Sequence, residues 1–497
     1  MHRLLSKLKR SHRNRSSQSA SLHSPDVIVG STASQNDTTK RIPSPSSRKP
    51  RYPSVDPPIE AFPSEIRRLI LCNLRLEDLF VFIRASPVYL QQYLLDPGFI
   101  QRQCLFQTLY IYTPDAIYVY LTGEGQFLAS RNEQRLDSVQ AMIDAYLRAR
   151  SSGRSAFIDL VTRLNNSQLD DMVHFHRRVV SSLIQLYSRW AFSNLVLQIE
   201  GESSQNTEAA CLLSSTETLR IMRAMYRYQL ICNLFGRGPY SASLYSSYSL
   251  SGYNDIFQAF LSTFTAFEIE EVRCIFDYAV DCYDKVFARV ASDLHPDNPR
   301  FKGQQRPPTP DGAFNCLERR NSFDVYRTRE LQIGTASRGL GLLHMVLIKT
   351  PYDTNDPREH EDLVITIQSQ ITIGTSFLET CGGAMNTEIH QAYRNRNPTE
   401  RDQKESRREP MNFVGDECVW HGRDGDTDPP PPLAWTMIWG GRYSNLYGSC
   451  IPECFSRLGY VFWDAERLIR SGGRDFLLRQ WDEEMGDDYD PREEFAV

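Results

Sequence analysis

The stretch Ala61-Phe62-Pro63-Ser64-Glu65-Ile66-Arg67-Arg68-Leu69-Ile70-Leu71-Cys72-Asn73-Leu74-Arg75-Leu76-Glu77-Asp78-Leu79-Phe80-Val81-Phe82-Ile83-Arg84-Ala85-Ser86-Pro87 separates two unlike parts of the chain. It reads as two short helices. Pro63 stands at a helix start, where its missing N–H costs nothing. Ile66, Leu69, Ile70 and Leu74 recur at i, i+3, i+4 and i+8 as one apolar stripe, with Arg67, Arg68 and Asn73 assigned to the other side. Asp78 caps or charges the start of a second helix bearing Leu79, Phe82 and Ile83. Ser86 then serves as N-cap, and Pro87 as first residue, of a third helix.

This arrangement resembles the F-box: Phe62-Pro63-Ser64-Glu65-Ile66, then Leu69-Ile70 and Leu74, then the acidic–aliphatic pair Asp78-Leu79. Phe62 replaces the usual leucine. Ala85-Ser86-Pro87-Val88-Tyr89 replaces the Trp-bearing end, as in a group of filamentous-fungal F-box-like proteins that the chain is similar to. The resemblance implies a Skp-type adaptor of a cullin–RING ubiquitin ligase as partner, contacted by Phe62, Pro63, Ile66, Leu69, Ile70, Leu74, Leu79 and Phe82. It implies an unknown protein substrate recruited by the rest of the chain, no cofactor and no bond chemistry. A cytoplasmic or nuclear site of action follows. The alternative is a non-catalytic helical scaffold in which the hairpin is only part of the core, or an enzyme whose site is hidden. Exposure decides between them, because an adaptor cannot reach Ile66, Leu69 and Leu79 if later helices cover them.

Working outward, residues 1–55 are rich in Ser, Arg, Pro and Lys and nearly free of aromatics. Such a segment buries too little apolar area to offset its ordering entropy, so a disordered tail is expected. Lys7, Lys9, Arg10, Arg13 and Arg15 all precede the first acid, Asp26. A nuclear-import patch, a nucleic-acid or membrane-surface arm, a mitochondrial presequence and a plain solvated tail remain open readings. Ser24-Pro25 and Ser44-Pro45 offer phosphorylation sites within it.

Beyond the hairpin, at 56–100, the pattern predicts a mainly α protein with an irregular all-α body. This comprises a helical part at 101–296, a polar loop at 297–328, a mainly helical part at 329–480 with a loop at 394–432, and an acidic tail at 481–497. Ser86-Pro87, Asp96-Pro97 and Thr113-Pro114 each pair a capping residue with a proline at a helix start. Helices are expected over about 133–150, about 167–198, and from Thr216 to a C-terminal Gly236. The most regular helix follows a Thr265/Glu268 capping box, with Ile269, Val272, Phe276, Ala279, Tyr283, Val286 and Val290 on its stripe. Residues 363–373 fit helix or strand, and helix is preferred, with Cys381-Gly382-Gly383 as its end. Near the C-terminus, Gly459-Tyr460-Val461-Phe462-Trp463-Asp464 and the basic helix after it echo the fungal group. They predict that this end packs back into one folded unit.

The 497 residues suffice for a large core, and the net charge of −5 argues against polyanion binding by bulk charge. Nucleic acid is thus an unlikely partner. No run of apolar residues is long enough to predict a membrane span, and residues 1–7 do not read as a secretory signal. The 11 cysteines, odd in number and scattered, read as buried thiols of a reducing compartment. No nucleophile elbow, phosphate loop, dinucleotide fingerprint or His-Glu-x-x-His occurs. Cys418-x-x-His421 with Cys450-x-x-x-Cys454 is the best metal candidate, but its second spacing is loose and holds Pro452, so no metal is assigned. His176 and His344 lie among apolar neighbours and read as core histidines; His174 and His176, two apart, cannot chelate together on a helix.

Overall fold

The computed structural model describes residues 59–123, 127, 135–200, 212–236, 250–294, 331–353, 355–371, 399–416, 430–485 and 490–492. The expected N-terminal tail, the loop 297–328 and Cys381-Gly382-Gly383 lie outside these residues. Every regular element described is helical, with no strand among them and one isolated antiparallel bridge, Pro410 to Arg442.

The chain runs through α1 (Ser64–Cys72), α2 (Leu76–Ala85), α3 (Pro87–Leu95), α4 (Pro97–Leu109), α5 (Thr113–Gly123), α6 (Arg135–Arg150) and α7 (Gly153–Arg163). Next come α8 (Asn166–Phe175), a π turn over His176–Val180, α9 (Ser181–Glu200), α10 (Ser215–Phe235), α11 (Leu250–Leu261) and α12 (Ala266–Leu294). The last part holds α13 (Leu340–His344), α14 (Pro357–Gln370), α15 (Glu400–Ser406), α16 (Leu433–Ile438), α17 (Glu453–Leu458), α18 (Ala465–Arg470) and α19 (Gly473–Met485). Residues 57–497 form one unit, and one hydrophobic cluster extends from Leu71 of α1 to Trp481 of α19.

Helix starts follow local chemistry. The Ser86 hydroxyl accepts from Tyr89 N and the Asp96 carboxylate from Phe99 N, both at 3.3 Å. Thr113 does not act as the third such cap. A 3-10 turn over Tyr110–Tyr112 runs directly into α5, and the Thr113 hydroxyl donates to Tyr110 O at 2.6 Å instead. The Thr265/Glu268 box is half made: Glu268 accepts from Thr265 N at 2.9 Å, while the Thr265 hydroxyl has no partner among the described residues. A complete box that the sequence reading missed, Ser214 with Glu217, opens α10.

Other expectations need correction. Gly236 ends α10 with φ −63°, not in the left-handed region. A side chain is excluded there by crowding, because a Cβ would press on Cys232 O and lie 2.7 Å from Ser337 O. Residues 363–370 are helical, but α14 stops at Gln370 because Ile371 turns extended. The expected loop 394–432 contains α15, started by a Thr399/Asp402 capping box, with Asp402 and Glu405 buried. The expected acidic tail at 481–497 begins inside α19, where Trp481 is fully buried. The C-terminal aromatic block packs back as expected: Tyr460, Val461, Phe462 and Trp463 are all core.

At the centre, α10 is buried on nearly every side. Its residues Met222, Tyr226, Leu230 and Leu234 are buried, and Arg220, Arg223 and Arg227 carry charge into the interior. Arg227 Nη1 meets Glu268 Oε1 of α12 at 2.6 Å, Arg223 forks onto Glu271, and Arg227 Nε lies 3.5 Å from Asp115 of α5. Asp115 also accepts from the buried Tyr146 hydroxyl of α6. Burial alone would push the Glu268 carboxyl up, but Arg227, Arg223 and Arg150 outweigh it and hold the group well below the usual carboxylate range. Breaking a buried pair from one side leaves an uncompensated charge, a cost of about 3–5 kcal/mol.

Two measurements check this account. Glu268→Gln should lower the urea unfolding free energy by about 3–5 kcal/mol; a loss below about 1 kcal/mol would mean that the cluster is hydrated rather than dry. Gly459, at φ +61°, places a would-be Cβ 2.9 Å from the Tyr187 hydroxyl. Gly459→Ala should therefore destabilise by about 1–3 kcal/mol, while Gly341→Ala, in open space within α13, should stabilise by up to about 1 kcal/mol.

Candidate functional site

The two hairpin helices are fastened to the body from inside. Leu71, Leu76, Leu79 and Ile83 belong to the common core. The Cys104 thiol of α4 donates to Leu71 O at 3.0 Å, and Leu76 N donates to the Thr108 hydroxyl of α4 at 2.9 Å. The chain entering α1 is held as well: the Tyr89 hydroxyl donates to Ile59 O at 2.9 Å, and Ser86 bonds Glu60. Arg68 of α1 reaches Asp96 at 2.8 Å and lies 4.4 Å above the Phe99 ring.

This fastening fixes which side of α1 faces outward. At ~100° per residue, the buried Leu71 lies ~140° around the helix from Ile66 and ~160° from Leu69. Ile66 and Leu69 consequently share the face of α1 turned away from the body, 41% and 58% exposed, and Phe62, which precedes the helix, is 44% exposed. Ile59, just before them, is exposed too. Pro63 is the N-cap of α1 and exposed. An apolar face held outward by a rigid inner side is a feature of interaction surfaces.

The eight residues expected to meet a partner therefore split. Phe62, Pro63, Ile66 and Leu69 are presented to solvent. Ile70, Leu74 and Phe82 are half-buried against the core, and Phe82 packs on Tyr89 with ring centres 4.5 Å apart. Leu79 is fully buried and belongs to the core rather than to the outer face. The physical reason is that α2 turns its apolar side onto α3 and α4, which consume it.

A polar latch, missed by the sequence reading, joins the hairpin to the long helix. Glu77 of α2 accepts from His176 Nε2 at 2.9 Å and from the Ser181 hydroxyl at 2.6 Å; His176 Nδ1 meets the Tyr226 hydroxyl at 2.9 Å. Arg177, next along the π turn, stacks 3.6 Å over Phe80 of α2. His176 is thus a buried histidine bonded on both ring nitrogens, as its apolar setting implied, while His174 points outward. The order is hydroxyl–carboxylate–imidazole. The histidine does not touch the serine and cannot take its proton, so this is a fastening and not an acyl-transfer triad. His176 is the first residue of the π turn, and no residue type announces its meeting with Glu77.

Cys418 and His421 lie outside the described residues. Cys450 is buried, and the Cys454 thiol donates to Glu484 at 3.2 Å. Among the described residues no group of three His, Cys, Asp or Glu side chains is placed to hold a metal ion, and no helix is long and apolar enough to cross a membrane. No family model, curated protein or solved structure matches the chain.

Burial alone would raise the Glu77 carboxyl; the His176 hydrogen bond and charge, followed by the Ser181 bond, outweigh it and hold the group at about 2, against an ordinary 4.5. With the folded value depressed, the latch stabilises fully above the ordinary value and its contribution disappears as pH falls toward about 2. Urea midpoints of wild type and Glu77→Gln should therefore differ most near neutrality and converge between about pH 5 and pH 2. A gap independent of pH over that range would show that the latch works by packing alone.

Proposed function

We propose that the chain is a protein–protein adaptor. The outward face of α1, built from Phe62, Ile66 and Leu69 beside Pro63, docks the Skp-type adaptor of a cullin–RING ubiquitin ligase, and the helical body recruits a second protein. The carrying observation is that face: Ile66 and Leu69 exposed on one side of a helix whose opposite side is locked into the core, with Phe62 exposed just before its start. Such a surface supplies association energy without bond chemistry, by laying apolar helix positions against a partner groove. The partner's identity comes from the F-box resemblance of residues 62–87, and a cytoplasmic or nuclear site of action follows from the same resemblance.

A second reading has its own observation. Leu71, Leu76, Leu79 and Ile83 are as deeply buried as any part of the body, so the hairpin also serves as core of a helical scaffold. That role does not account for the exposed face. The two readings separate in one experiment.

Ile66→Asp/Leu69→Asp changes exposed positions and should leave the circular dichroism spectrum and melting temperature near wild type. It should also weaken co-purification with the Skp-type adaptor by about tenfold or more, the scale of truncating two interface anchors. Leu79→Asp should instead unfold the chain, because it places a charge in the core. No binding by wild type, or equal binding by the double variant, would leave the scaffold reading.

A further inference from the structure

We infer that the junction of two π turns, framed by His174, Arg178, His344 and Lys349, is a binding site for a phosphate group, taken as the free ion or as a small monoester. The site stands independently of the docking function proposed above. π turns are rare in folded proteins and collect at functional sites. Here two of them meet. The first, His176–Val180, continues α8; the second, Met345–Lys349, continues α13; and α13 packs on the first turn.

The geometry gathers basic side chains from both turns. His174 and Arg178 are four positions apart and so neighbours along their helix. In the second turn the hydrogen bonds close over five residues, as Thr350 N to Met345 O at 2.9 Å shows, so Lys349 comes back over His344. The charges meet across the junction: Lys349, Arg178 and His174 all bear on His344, and Arg178 and Lys349 bear on His174. His344 is only 6% exposed and packed on most sides. It makes no hydrogen bond among the described residues, yet its ring nitrogens are not sealed from solvent. Buried polar groups in folded proteins are as a rule bonded, and a ligand oxygen supplies the bond that this ring lacks.

The charge selects the ligand. Among the described residues, His174, Arg178 and Lys349 make no ion pair and no hydrogen bond through their side chains. Arg177 does not join them, because it stacks over Phe80 and faces Glu77. Asp171, one turn before His174, is the acid that offsets them. Arg178 and Lys349 against Asp171 leave one net positive charge with both histidines neutral, and three with both protonated. Burial first, and then these like charges, lower the pKa of His174 and of His344. An anion between the turns reverses that repulsion and draws protons onto the two imidazoles. A phosphate group fits better than a carboxylate: its tetrahedral oxygens meet donors arriving from two sides, whereas a planar carboxylate offers two oxygens on one edge.

The test follows the histidine ring signals of the full-length chain by NMR while inorganic phosphate is added, with chloride holding the ionic strength constant. The signal of His174, assigned by its loss in His174→Gln, should shift with a Kd below about 1 mM and should titrate at higher pH once phosphate is bound. Arg178→Glu and Lys349→Glu, both at exposed positions, should each weaken binding by about tenfold or more. Arg474→Glu, an equal change of charge on α19, should leave it unchanged. O-phospho-L-serine is the second probe: binding at least as tight as that of inorganic phosphate assigns the site to a monoester, and weaker binding assigns it to the free ion. The inference is overturned if phosphate leaves His174 unmoved, if acetate binds as well as phosphate, or if Arg474→Glu weakens binding as much as Arg178→Glu does.

Discussion

The fold depends on one dry cluster of charge. Arg223 and Arg227 of α10 meet Glu268 and Glu271 of α12 and Asp115 of α5, with every one of these side chains nearly excluded from water. An isolated charge in such a place would cost far more than a folded protein's whole margin of stability, so each arginine demands its acids at short range. That demand fixes the register of three helices at once. An apolar seam would tolerate sliding by a turn; this one does not.

The same logic extends to both ends of α10. At its start, Glu217 accepts from Arg467 of α18 at 2.6 Å, and Arg220 bonds Asp464 at 3.2 Å, so the C-terminal aromatic block is drawn onto the helix by charge as well as by Trp463. In its middle, Tyr226 reaches His176, and His176 reaches Glu77. The hairpin is therefore linked through two hydrogen bonds to the helix that organises the core. An outer face anchored this way is presented in one orientation, which is what a docking surface requires.

The proposed docking face is apolar surface that a satisfied core leaves outside. On α1, Ile66 and Leu69 stay outside because the inner side of the helix is already satisfied where Leu71 packs toward α3 and α4. Docking on such a face needs no catalytic group. The interior histidine, serine and cysteine side chains described are engaged in bonds or shielded by packing: burial pushes the Cys104 thiol up to about 12, and burial followed by Glu484 does the same to Cys454.

Sequence by itself determined the helical class and most helix positions, whereas the expected stripe of α1 omitted Leu71, the residue that the helix buries. These follow from local rules: proline and capping residues at helix starts, and apolar residues recurring every three or four positions. Ser86-Pro87 and Asp96-Pro97 were legible because a cap needs only its own neighbours. Thr113 misled because a preceding turn, invisible locally, ran into its helix. Tertiary structure alone decided which side of α1 faces solvent, that Leu79 is core while Leu69 is not, and that Glu77 finds His176 across 99 positions of chain. It also decided that the arginines of α10 point inward. Periodicity places residues on a common side of a helix but cannot say what that side meets; that depends on partners brought from far along the chain, whose burial is set by the whole core at once.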